Sequence, residues 1–134
     1  MAMTEASFRP LAPSERELLE RLLEPKFPGR DELRAQLDGL LVKELDEDGC
    51  LTFECRSGPP APVKNPIPTE GDGPDVDGAN IHVMLQVVDG FMDSLIMVKE
   101  AATNPTGFPA AIGLKVFAAY SEDAGVWNTS DKFR

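Results

Sequence analysis

The chain of 134 residues carries 13 Lys or Arg against 23 Asp or Glu, a formal charge of −10 and a pI near 4.5. Such a field repels phosphates, which excludes a generic nucleic-acid or anionic-membrane binder. The composition is ordinary globular stock and the length suits one domain, 1–134, with a core of its own.

The first element opens on Ser14-Glu15-Arg16-Glu17, where Ser14 can cap the amide of Glu17 while the Glu17 side chain reaches back, a reciprocal capping box. On that reading Ser14→Ala costs about 0.5 to 2 kcal/mol. Leu18, Leu19, Leu22 and Leu23 then form one apolar stripe, and Pro25 stops the helix. A shorter helix is expected from Asp31 to Asp38, with Leu33 and Leu37 one turn apart and Gly39 as a left-handed cap.

From Leu40 the punctuation changes, and five of the 11 glycines follow an aspartate: Gly39, Gly49, Gly73, Gly78 and Gly90. Between alternating apolar runs, Asp-Gly signals a hairpin, because both residues tolerate the positive φ of a primed turn. Leu40 to Asp46 and Cys50 to Arg56 make a first hairpin whose register the residues leave open. Val63 to Pro68, in a Pro-rich stretch, suits only an edge strand or an extended connection. Glu70 to Gly78 is acidic and glycine-rich and reads as a solvated loop.

The second hairpin joins Ala79–Val88 to Phe91–Glu100 through Asp89-Gly90. A two-residue turn pairs Val88 with Phe91, Val87 with Met92, Leu85 with Ser94, Val83 with Ile96 and Ile81 with Val98. One face then carries Ile81, Val83, Leu85, Val87, Met92, Ile96 and Val98, with Ser94 as its polar exception, and should meet the helices. The opposite face carries His82, Met84, Gln86, Val88, Phe91, Asp93, Leu95 and Met97. It is too apolar for open water and calls for a cover. Gly113 to Tyr120 alternates loosely as a last strand, and Trp127 in the polar tail reads as an anchor.

Chemistry is sparse. Cys50 and Cys55 lie five residues apart on one strand, roughly 16 Å at the rise of a strand, beyond the ~7 Å reach of a disulfide. They read as reduced structural thiols, which suits a cytoplasmic protein. The longest apolar run, Val116 to Tyr120, is far short of a membrane span, and Met1 to Glu5 lack the basic and apolar regions of an export signal. His82, the one histidine, stands in an apolar strand with no acid within three positions. Glu44 to Gly49 resembles the start of a calcium loop, but Cys55 stands where a bidentate Glu belongs and the flanks are strands, so no metal site is expected. No phosphate loop or nucleophile motif is present, and no cofactor is implied.

Arg9-Pro10-Leu11 before a capped acidic helix, with His82-Val83-Met84-Leu85-Gln86-Val87 and Asp89-Gly90 leading to Lys99, resembles a family of small bacterial domains of unknown function. The resemblance spans roughly residues 8–100 and implies two helices with an antiparallel sheet. It brings no functional residues with it.

The expected architecture is α+β: two N-terminal helices on one face of a four- or five-stranded antiparallel sheet, with residues 8–100 as the core. Residues 101–134 form an extension, docked on the sheet or swapped onto a second subunit. The expected function is a non-enzymatic interaction protein, immunity- or adaptor-like, binding a basic protein partner or a second copy of itself. Met84, Val88, Phe91, Leu95, Met97 and Trp127 form the expected interface. The competing reading is a small-ligand binder or enzyme with a pocket between helices and sheet, attended by His82 and Asp93. Acidic mimicry of nucleic acid is a third reading, which would need carboxylates spaced along one ridge.

Overall fold

A computed structural model describes residues 7–45, 50–75, 78–99 and 113–118. The short strand β1 (Arg9–Pro10) leads into helix α1 (Pro13–Leu22), helix α2 (Arg30–Gln36) and a 3-10 turn (Leu37–Gly39). Strands β2 (Leu40–Glu44), β3 (Leu51–Cys55), β4 (Thr69–Pro74), β5 (Asn80–Val88), β6 (Phe91–Lys99) and β7 (Lys115–Ala118) follow. All pair antiparallel in one seven-stranded sheet, ordered β1-β2-β3-β6-β5-β4-β7, with both helices on one face. The count exceeds the expected four or five because two segments not read as strands, Arg9–Pro10 and Thr69–Pro74, also pair. No helix among the described residues is long and apolar enough to cross a membrane.

The leucine stripe of α1 is buried as its spacing predicts, with Leu18, Leu19, Leu22 and Leu23 all at most 1% exposed. Its start differs from expectation. The helix begins at Pro13, so exposed Ser14 lies inside the first turn instead of capping it. Proline suits the first helical position, where its missing N–H is no loss. Glu15 performs the reaching-back, accepting the Ala12 amide at 2.8 Å. Arg9 grips the same carboxylate with its two terminal guanidinium nitrogens at 2.9 and 2.8 Å and reaches Glu44 at 2.8 Å, fastening β1 and β2 to α1.

The Arg9 bonds hold the buried Glu15 carboxyl below its ordinary range, against the opposing effect of burial. Its folded pKa is depressed, so the stability it brings is present above the ordinary carboxyl value and is lost as pH falls through the folded one. Ser14→Ala is accordingly expected to leave the denaturation midpoint within about 0.5 kcal/mol, whereas Glu15→Ala should cost about 1.5 to 3 kcal/mol at neutral pH. Equal effects of the two substitutions in urea melts would return the cap to Ser14.

Helix α2 starts one residue earlier and ends two residues sooner than expected, tightening into the 3-10 turn before β2, with Leu33 and Leu37 buried. Gly39 is not left-handed; the positive-φ glycine stands before the helix, Gly29 at φ 93°. Arg30 at the start of α2 donates to the carbonyls of Leu23 and Glu24, which follow the last turn of α1.

After the β2–β3 hairpin, Leu40 pairing with Cys55 and Glu44 with Leu51, the Pro-rich connection crosses to the far half of the sheet. Val63 to Pro68 is part of that connection and not a strand. The expected solvated loop from Glu70 is instead β4, lying between β5 and β7 with Glu70, Gly71 and Gly73 buried. Backbone bonds to a strand on each side make up for its poor strand composition. Thr69 anchors it to the helix layer, its hydroxyl donating to the Leu22 carbonyl at 2.6 Å, and Arg21 ties α1 to the carbonyl of Leu114 beside β7 at 2.8 Å.

The β5–β6 hairpin turns on Asp89 and Gly90 at φ 55° and 88°, and Val88–Phe91 and Val87–Met92 pair as expected. The register then slips. Gln86 pairs with Ser94, leaving Asp93 as an extra residue, and beyond it Leu85 meets Leu95, Val83 meets Met97 and Ile81 meets Lys99. A one-residue bulge inverts every later side chain of that strand. Leu95 and Met97 therefore face the helices, 1% and 4% exposed, while Ile96 and Val98 turn to the other side. Both cysteines are free thiols; Cys50 is buried, its sulfur accepting the Met97 amide at 3.3 Å.

Candidate binding face

Strand alternation gives the sheet a second face, turned away from α1 and α2. Across its middle run Ser94, Ile96 and Val98 of β6 and His82, Met84, Gln86 and Val88 of β5, with Phe91 opposite Val88 at the turn. Val88 and Val98 are 44% and 49% exposed, and Met84, Phe91 and Ile96 are half-buried. Of the expected interface residues, Met84, Val88 and Phe91 lie on this face and Leu95 and Met97 do not. Trp127 lies outside the described residues. Ile96 and Val98 take the places of the two core residues, and the bulge that moved them is what hid them. The segment around Val116 and Phe117 does not lie over the face: as β7 it extends the sheet sideways, pairing with β4.

At the β4 side of the same face stands the polar cluster. Asp72 pairs with His82 across the β4–β5 ladder, and Glu70 with Met84. His82 Nδ1 lies 2.6 Å from Asp72 Oδ1, and Nε2 lies 2.7 Å from Glu70 Oε1. Phe117 of β7 lies against the imidazole, ring centroids 6.1 Å apart and planes at 30°. The hydrogen bond to Glu70 raises the His82 pKa above its ordinary value, burial opposes it, and Asp72 adds to the rise. Sequence distance concealed these partners, because Glu70 and Asp72 belong to a segment that does not read as a strand.

Asp93, the other half of the expected ligand site, lies at the bulge near the hairpin turn, its carbonyl accepting from Thr52 at 3.2 Å. His82 pairs at the far end of the same strand, five residues from Val98 back to Asp93 and so roughly 16 Å away along the ladder. The two do not converge, and His82 is on the face opposite the helices, not between helices and sheet. That interior is filled by leucine, valine and phenylalanine side chains. The described residues hold no group of His, Cys, Asp or Glu arranged to take a metal ion; both imidazole nitrogens are already turned to carboxylates. With both ring protons in place the cluster is a salt-bridged clasp, and in that state the imidazole has no lone pair to offer a substrate.

The chain matches no family model, no curated protein and no solved structure.

Proposed function

We propose that the protein is a non-enzymatic interaction module that receives a basic protein partner on the helix-free face of its sheet. The observation that carries this reading is the exposure of Val88 and Val98 among half-buried Met84, Phe91 and Ile96, on a face that neither helix covers. Large apolar side chains forfeit roughly 1.5 to 3 kcal/mol each when burial is available and unused, and contiguous exposed apolar surface marks contact sites. The net charge of −10 favours partners of opposite sign. A second copy of the chain is the other occupant the same surface would suit.

The test uses the immobilised full chain beside its Val98→Asp and Val88→Asp variants, with folding checked by circular dichroism. The expected result is retention of a basic protein by the wild type, weakened by salt and by either aspartate. Sedimentation runs in parallel, and a dimer that the aspartates dissociate would place a second copy on the face. Equal retention and equal sedimentation of all three chains would remove the face from the binding function.

A further inference from the structure

Strand β4 reads Thr69-Glu70-Gly71-Asp72-Gly73-Pro74, and its attachment to the rest of the sheet is unusual. Two glycines on the helix side bring no side chain to the packing. On the open side its two polar residues, Glu70 and Asp72, are both turned to one imidazole on β5. A longer bond from Asn80 Nδ2 to Asp72 at 3.3 Å adds to them, beside the backbone ladders to β5 and β7 and the Thr69 hydroxyl on the Leu22 carbonyl.

A neutral imidazole has one N–H and one bare lone pair. Two carboxylates at 2.6 and 2.7 Å therefore fit a ring that carries both protons; a neutral ring would set a lone pair against a carboxylate. The charged groups around the ring are Glu70 and Asp72 on β4 and Lys115 of β7, which pairs with Asp72. Opposite His82, β6 contributes only Val98.

We propose that the β4–β7 edge of the sheet is proton-controlled: β4 is held to β5 while His82 keeps both ring protons, and the edge loosens when one is lost. The direction of the His82 shift agrees. A pKa raised in the closed edge means the closed edge binds the proton more tightly. The stabilisation is complete below the ordinary histidine value of about 6.5 and decays as pH rises through the closed-edge value. Each unit of separation between the two values amounts to about tenfold in the opening equilibrium. The device is independent of any partner.

The experiment follows the His82 ring nitrogens by NMR through a pH titration, together with amide exchange of β4 and of β2–β3, each corrected for intrinsic exchange. In the wild type, His82 should titrate above its ordinary value, and β4 protection should fall about tenfold per unit of that elevation while β2–β3 protection holds. Glu70→Gln supplies the control, since its side-chain amide can donate to the bare nitrogen; there the fall should shrink and His82 should titrate lower. Protection of β4 that ignores the titration of His82, or a ring already neutral well below its ordinary value, would overturn the proposal. So would a Glu70→Gln chain that loses β4 protection as the wild type does.

Discussion

Gln36→Leu is expected to cost about 2 to 5 kcal/mol, although leucine has nearly the same volume and the site is interior. Gln36 is 0% exposed. Its Nε2 donates to the carbonyls of Pro59 and Gly90 at 2.9 and 2.8 Å, and its Oε1 accepts the Met92 amide at 3.1 Å. The side chain thus joins α2 to the Pro-rich connection and to the base of the β5–β6 turn. Gly90 keeps a second donor, the Ala61 amide at 2.8 Å, and Pro59 is an exposed residue whose carbonyl can turn to water, so leucine orphans chiefly the buried Met92 N–H. The orphaned N–H costs about 1 to 3 kcal/mol and each of the two lost part-buried bonds about 0.5 to 1.5 kcal/mol, together a large part of the 5 to 15 kcal/mol that holds a domain folded. Urea melts of Gln36→Leu beside Glu17→Ala, an exposed change on α1, provide the measurement. A midpoint no lower than that of the control would show that the three bonds contribute nothing net.

Nothing near Gln36 in the sequence announces this role, because all its partners are backbone groups at least 23 positions away. Local signals were legible where the cause is local. The α1 leucines follow from helical spacing, and the hairpin turn follows from Asp89-Gly90, whose backbone adopts the positive φ those residues tolerate. The bulge at Asp93 was half visible. With a regular ladder, Ser94 would interrupt an apolar face while Leu95 and Met97 waste theirs on the other, and one extra residue cures both faults at once. Ser94, 4% exposed, bonds Gln86 on the open side at 2.9 Å. Strand β4 shows the opposite limit. Its residues have low strand propensity, so its conformation comes from neighbours on both sides, and the acid pair of the His82 clasp stayed hidden with it.

The bulge has a second consequence at its far end, and it yields the other large effect. With Lys99 paired to Ile81 on the helix side, its ammonium sits inside the protein, 2.9 Å from Asp75 Oδ2, with the two side chains 2% and 3% exposed. Removing one partner of such a pair leaves a buried charge uncompensated, so Lys99→Met should cost about 3 to 5 kcal/mol. Lys99→Met combined with Asp75→Asn should cost less than the sum of the single changes, because the second substitution removes the stranded carboxylate. Val98→Lys, one position earlier, should fall within about 0.5 kcal/mol of wild type, since that side chain stands on the open face. Without the bulge the two positions would exchange roles: lysine 99 would be a solvent-facing residue of no consequence and a lysine at 98 would be driven into the core. Denaturant midpoints of the three variants therefore read the register directly, and a neutral Lys99→Met together with a disruptive Val98→Lys would restore the regular ladder and return Leu95 and Met97 to the open face.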